Sequence, residues 1–279
     1  MIALGLNNVV DVASLSASIA FSTALPLANV QSPWLPLVAR SLSAAAFSLT
    51  LEWSSPQVVG VVLLANHNFG WNAKLRISWS LNSTVLGRSG DVLVWPFRNG
   101  SVLSATEKLS FRPDFTFFFP DNVRVDQVII EVFQPVASGF VQLGRVFVGE
   151  ALVPALGVEY GAVQLGLVSR SSVQSSPAGF KFGSKLMPLR EASVSLSALS
   201  SKEAFDKVFE AQRRADLLGE VVFAGVKPEW VALPAMGALA VSSADFSQCF
   251  LANFKEFNPL SQAFFNGFGG SVAFAEVAV

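Results

Sequence analysis

Residues 46–54, AFSLTLEWS, alternate along their length. Phe47, Leu49, Leu51 and Trp53 fall on one side, and Ser48, Thr50, Glu52 and Ser54 on the other. A period of two residues is that of a strand with one buried face. The next run, QVVGVVLLA (57–65), is apolar at both parities and predicts a central strand covered on both faces. AKLRISWSL (73–81) returns to alternation, with Leu75, Ile77 and Trp79 against Lys74, Arg76, Ser78 and Ser80. DVLVWPF (91–97), FTFFF (115–119), QVIIEVFQP (127–135) and FVQLGRVFVGE (140–150) continue the series, Gly144 marking a bulge or a close approach. Short strands punctuated by turns, with no helical period among them, predict an antiparallel sandwich over the first half of the chain.

The pattern changes near residue 150. GVEYGAVQLGLVSRSSVQSS reads as strand followed by a Ser-rich turn, and REASVSLSAL (190–199) sets Ala192, Val194, Leu196 and Ala198 against serines. A helix is predicted over 201–216. Ser200 and Glu203 have the spacing of a capping box. Phe205, Val208, Phe209 and Gln212 share one face, which Leu217 extends, while Glu203, Asp206, Lys207, Glu210 and Arg213 make the solvated side. Gly219 is the expected stop. EVVFAGV (220–226) and SVAFAEVAV (271–279) read as strands, and residues 228–270 are the hardest to place. The expected class is mainly β, in two β-rich domains, 1–148 and 149–279. The first is an antiparallel sandwich, and the second a β-sandwich or barrel carrying one amphipathic helix near 201–216.

Composition adds a constraint on the surface. Hydrophobic residues make up 52% of the chain and charged residues 14%, against about 25% charged in an average soluble domain. Such a chain either meets a membrane or has its exterior covered by other subunits. A spanning helix needs roughly 20 apolar residues. VVGVVLLA (58–65) is too short. The stretch VASLSASIAFSTALPLANV follows Asp11, has no basic residue before it and is broken by Pro26, so neither a signal peptide nor an anchor is expected. The uneven strands do not make the regular ladder of a membrane barrel, and no membrane insertion is expected. Net charge is −1 with no basic patch, which leaves nucleic-acid binding without electrostatic support. A single cysteine, Cys249, precludes an intrachain disulfide and fits a reducing compartment. Twenty-five Phe against one Tyr supply apolar area without a polar handle, which suits packed sheets and dry interfaces.

Signals for chemistry are sparse. One His and one Cys exclude a zinc site of the usual ligand type. Asp121 and Asp126 in FPDNVRVDQ could contribute oxygens to calcium, but read as a polar turn between two strands. GFGGS (267–271) opens no helix and is not a phosphate loop, and no serine lies in a nucleophile elbow. Glu52, Asp91, Glu131 and Glu150 are acids by type alone, with nothing to bring two together. No catalytic, cofactor or metal residue is assigned, and the chain is not read as an enzyme. The lone histidine lies in ANHNFGWNA (65–73). It reads as a turn residue whose ring hydrogen-bonds the backbone, with Gly70 allowing a positive φ. The alternative is contact with a ligand or partner through His67, Asn68, Trp71 and Asn72.

The same stretch carries a family resemblance. WSSPQVVGVVLLA followed by NHNFGWNAKLRISWS is similar to a pattern in tail proteins of long-tailed bacteriophages, where the module looks like a galactose-binding-type jelly roll. GRVFVGEALVPALGVEYG (144–161) resembles the passage into a second, tail-hub-like domain. REASVSLSALSSKEAFDKVFEAQRRAD resembles that domain's strand and helix. The resemblance implies a structural protein of a phage tail tip or baseplate, assembled in the host cytoplasm and located in the virion. Its partners would be copies of itself in a ring or collar and other tail proteins, met through apolar interfaces. The alternative is a carbohydrate-binding module touching host-surface glycan, stacking sugar on Trp34, Trp71 or Trp95.

Overall fold

The computed structural model describes residues 2–70, 72–94, 114–133, 139–154, 162–184, 186–225, 230–232, 239–241, 249–256, 258–264 and 267–277. It is mainly β, with sandwich-like sheets and one short α-helix among the described residues. In chain order the strands begin β1 (Ala3–Leu6), β2 (Ser14–Ala17), β3 (Ala39–Arg40), β4 (Phe47–Ala65) and β5 (Lys74–Leu81). They continue β6 (Thr84–Arg88), β7 (Val92–Leu93), β8 (Phe115–Phe133), β9 (Gln142–Leu143) and β10 (Arg145–Leu152). Then come β11 (Val163–Val168), β12 (Ser172–Ser175), β13 (Lys181–Ser184), β14 (Leu189–Leu199) and the helix α1 (Glu210–Ala215). The chain closes with β15 (Glu220–Ala224), β16 (Trp230–Ala232), β17 (Leu239–Val241), β18 (Cys249–Glu256), β19 (Ser261–Phe264) and β20 (Gly267–Glu276). Two compact units result, Met1–Pro154 with Glu220–Leu251, and Ala155–Gly219 with Ala252–Ala278.

In the first unit the strand order is β15-β1-β10-β4-β8-β5-β6, all antiparallel where the registers are given, with β2 on β4 and β7 on β5. The sequence predicts separate strands at 46–54 and 57–65, and again at 115–119 and 127–135. Each pair is instead one long strand, β4 and β8. The two pair along their length, with register shifts between Glu52 and Gln57 and between Val59 and Val61. Pro56 and Pro120 have no N–H to give a ladder, and a bulge absorbs such a residue without ending the strand. Asp121 therefore sits on a bulge of β8 and not in a turn between strands. Asn122 fixes that bulge by donating to Ala151 O and accepting from Ala151 N, both at 2.9 Å. Gly60 leaves room for it, since a Cβ there would lie 1.9 Å from Asn122 Oδ1.

The alternating residues of β4, β5 and β8 meet in one core: Phe47, Leu49, Leu51, Leu75, Ile77, Phe117, Val128 and Ile130 with Val62, Val146 and Val148. Trp53 and Trp79 belong to it as well. Arg145, 1% exposed, lies at the start of β10. It is paired with Glu220 at 2.7 Å and Asp11 at 2.6 Å, and also donates to Val30 O. Burial alone would lower the guanidinium pKa, but the hydrogen bonds to Asp11 and Glu220 outweigh it and the pKa is raised. No helix of the described residues is long and apolar enough to cross a membrane. The apolar stretch after Asp11 folds into β2 and short 3-10 turns at Val10–Val12 and Leu27–Gln31.

In the second unit the order is β11-β14-β20-β18, with β19 also on β20, while β12 and β13 form a hairpin of their own. Arg190 and Glu276, both buried, are an ion pair inside it. The capping box forms: Ser200 N donates to Glu203 Oε2 at 2.9 Å, and Glu203 N donates to Ser200 Oγ at 3.2 Å. The first turns, Glu203–Phe209, are wound as π-helix, and α1 follows. That wider winding turns the expected face. Ala204, Val208, Ala211 and Gln212 are buried, whereas Phe205 and Phe209 are exposed. Phe205 instead packs edge-on against Phe268 at 4.9 Å. The expectation that Phe205, Val208 and Phe209 all pack onto the sheet is thus corrected: Phe209 is exposed, Phe205 meets β20 by its edge while staying partly exposed, and Val208 is the buried one. The chain leaves the helix through Asp216 at φ 51°, while Gly219 closes back by donating to Ala215 O.

Candidate functional site

Four connections of the first unit meet through side chains that stand in for backbone. The turn after β4 is shaped by Asn66 at φ 54°, so Asn66 and not Gly70 takes the left-handed conformation. Asn66 N donates to Asp114 Oδ1 at 3.2 Å, and Asn66 Nδ2 donates to Leu35 O at 3.2 Å. This ties the turn to the Ser32–Val38 connection. Asn68 ties it to the segment before β9. Its Nδ2 donates to Phe140 O at 2.8 Å, its Oδ1 accepts from Gln142 N at 2.7 Å, and its own N–H donates to Gln142 O at 3.3 Å. Ser41 completes the set, accepting from Val141 N at 2.8 Å and donating to Ser43 O at 2.5 Å.

The histidine belongs to this scaffold. His67 is buried, its ring stacked on Phe69 at 4.5 Å and 21°, with Nδ1 accepting from Phe69 N at 3.2 Å. Nε2 therefore carries the proton. Burial in apolar surroundings lowers the imidazole pKa from 6.5 to about 3, so the ring is neutral at pH 7.

What the turn holds in place is aromatic and solvent-facing. Trp34, in the connection tied through Leu35, is 66% exposed. Phe140, in the segment tied through Asn68, is partly exposed, with the Arg40 guanidinium 4.1 Å above its ring centre. Arg40 Nη2 donates to Gln142 Oε1 at 3.2 Å, and Arg40 Nε is buried with no hydrogen-bond partner among the described residues. Leu42 is exposed beside it in sequence. A flat cation on an aromatic face, with amides nearby and a free indole, presents stacking area together with directed donors. Among its described residues no nucleophile is hydrogen-bonded to a base. Among the described residues no three of His, Cys, Asp and Glu gather to hold a metal ion.

Of the four residues singled out from sequence, His67 is inside the turn, Asn68 is engaged with the backbone at 140–142, and Asn72 is exposed. Trp71 lies outside the described residues, as does Trp95. Sequence reasoning did not find Arg40, Phe140 or Gln142. They come from positions about a hundred residues apart and have no local signature.

The sequence matches no protein-family model and no curated protein. Among solved structures, the chain is similar to the family 32 carbohydrate-binding module of Clostridium perfringens NanJ in complex with galactose. That likeness is at 15% identity and TM-score 0.38, over 53% of this chain and 99% of that one. It is similar to the lectin domain of lectinolysin complexed with Lewis B antigen at 13% identity and TM-score 0.37, over 52% and 96%. It is also similar to chitosan-binding module 1 of a chitosanase/glucanase from Paenibacillus sp. IK-5, at 14% identity and TM-score 0.36, over 51% and 98%. These are sugar-binding modules, not tail-tip or baseplate proteins. They overturn the resemblance drawn from sequence, and with it the reading as a structural virion protein located in a phage tail. The short motifs that suggested it, a strand ending in an Asn-rich turn and a capped helix, are solutions to local backbone chemistry and recur wherever that chemistry is needed.

Proposed function

We propose that the first unit is a carbohydrate-binding module that takes sugar on the loop surface of Trp34, Phe140 and Arg40. Residues 1–148, completed by the Glu220–Leu251 return, would then be a galactose-binding-like jelly roll, and the chain from 149 a second domain. The observation that carries this is one turn, Asn66–Asn68, hydrogen-bonded on one side to the connection bearing an exposed Trp and on the other to the segment bearing an Arg-capped Phe. A pyranose has one face of C–H groups and an equatorial rim of hydroxyls. The ring faces of Trp34 and Phe140 suit the first, and the donors of Arg40 and Asn72 suit the second. Among the candidate contacts, Asn72 and Trp71 are proposed to touch sugar, and His67 and Asn68 to hold the loops that do. Contact with sister copies is kept as part of the proposal, since the low charge still calls for covered surface. The ring or collar and the other tail proteins go with the phage reading.

Galactose, GalNAc-β-1,3-galactose and Lewis b antigen, each in complex with one of the similar modules, are suitable probes. Calorimetric titration of the full chain should give saturable binding to at least one. Trp34→Ala and Phe140→Ala should each weaken it about tenfold, the loss of one stacking contact, with the melting temperature unchanged. No binding to any of them at millimolar sugar, or wild-type affinity in both variants, overturns the proposal.

A further inference from the structure

The second unit has a strand edge that no strand among the described residues covers. β11 pairs with β14 from Val163↔Val194 to Val168↔Leu189. Among the described residues no strand lies on its other side. Exposed edges are normally blunted by charge, proline or a bulge. VQLGLV has none of these, and its register with β14 is unbroken. Leu165 and Leu167 point to the side where Ala192 and Val194 are buried, yet both are exposed, Leu167 by 70%. Among the described residues nothing requires a glycine at 166. A Cβ there would meet nothing within 4 Å, and a glycine weakens a strand interior unless another backbone comes close.

The exposure continues into the arm that follows. All eight residues of β12 and β13 are exposed. The register Gln174↔Phe182 puts Phe182 on the face with Ser172, Gln174 and Ser184. Phe180, two residues back, shares that side. Phe180 and Phe182 are 67% and 62% exposed, and Val173, Leu186 and Met187 are open as well. A lone two-stranded hairpin is marginal in water.

We propose that β11 pairs antiparallel with β11 of a second copy of this chain, forming a two-fold dimer whose arms lie against the partner copy. Three observations favour a second copy. Unpaired N–H and C=O groups along β11 are satisfied by a strand and not by lipid or a small molecule. The open parts of Leu165, Leu167, Val168, Val173, Phe180, Phe182, Leu186 and Met187 come to roughly 800 Å², the share each partner gives a standard interface. Charge selects the geometry: the stretch 162–189 carries Arg170, Lys181 and Lys185 and no acid. Parallel pairing would set these cations side by side. Antiparallel pairing centred on Gly166, which then faces Gly166 of the second copy, sends the arms in opposite directions. It puts the two Arg170 roughly 27 Å apart at ~3.4 Å per residue, well past a Debye length of about 10 Å.

Light scattering of the full chain at micromolar concentration should read twice the 29.7 kDa chain mass. Leu167→Lys, at an exposed position, should read one chain mass with its melting of far-UV circular dichroism otherwise retained. Deleting residues 172–184 should weaken the dimer at least tenfold on dilution. A wild-type monomer across the micromolar range overturns the proposal. So does a dimer indifferent to both changes, or a higher oligomer. A monomer that floats with anionic phosphatidylserine vesicles through Phe180 and Lys181 would assign the arm to a lipid surface instead, and overturns it too.

Discussion

His67 is the residue on which a reading of this chain turns, since a lone histidine is either chemistry or scaffold. Its ring accepts from the Phe69 amide, stacks on Phe69 and is buried, so it is scaffold. This has a pH consequence. In the unfolded chain the imidazole binds a proton below about 6.5, but in the folded chain only near 3. Between those values the unfolded state holds the extra proton, so stability is complete above pH 6.5 and falls as pH drops through the window. The slope attributable to this group approaches about 1.4 kcal/mol per pH unit. Urea unfolding of His67→Gln, which keeps an acceptor for the amide, should show a limb between pH 6 and 4 that is flatter by about that amount. Parallel limbs in the two proteins would mean that the ring titrates normally. The turn was legible from its asparagines. That Asn66 and not Gly70 would take the positive φ was not, because it depends on the Asn66 amide donating to Asp114, 48 residues on and just before β8.

At the scale of the element, alternation identified β5, β14 and the first half of β4 by their buried parity, and the Ser200–Glu203 spacing identified the helix start. Two things were hidden. Proline-containing breaks at Pro56 and Pro120 look like strand ends in sequence, but a long partner strand carries pairing across them. The helical face was assigned by α-period to Phe205, Val208 and Phe209, whereas the π-wound first turns bury Ala204 and Val208 and leave Phe209 52% exposed. Substitutions separate the two assignments. Val208→Asp places a charge in apolar surroundings and should unfold the second unit. Phe209→Asp should cost less than about 1 kcal/mol, as a surface change does. Denaturant melts of both variants decide it: an unfolded Phe209→Asp with a stable Val208→Asp would restore the α-period face.

For the whole molecule, the ion pair of Arg145 fastens residues far apart in the chain, Asp11 and Glu220, around the start of β10. Removing one partner of a buried pair leaves the other charged and unsatisfied, at about 3–5 kcal/mol. Arg145→Met should lose stability of that order. Arg145→Met combined with Glu220→Leu should recover most of it, because no charge is then buried alone and Asp11 can turn to water. A double variant no better than the single one would show that packing, not charge, governs the site. None of these partners could be paired from sequence, and the same holds for Trp34, Arg40 and Phe140. By itself the sequence determined the strand-rich class, the capped helix, the Asn-rich turn, the lack of any His or Cys cluster and the shortage of charge. These follow from local backbone chemistry and from composition, which act over a few residues or over the chain as a sum. The tertiary structure alone decided which loops meet, which helix face is buried and which edge is left open, because antiparallel pairing joins residues whose separation along the chain carries no signal of their contact.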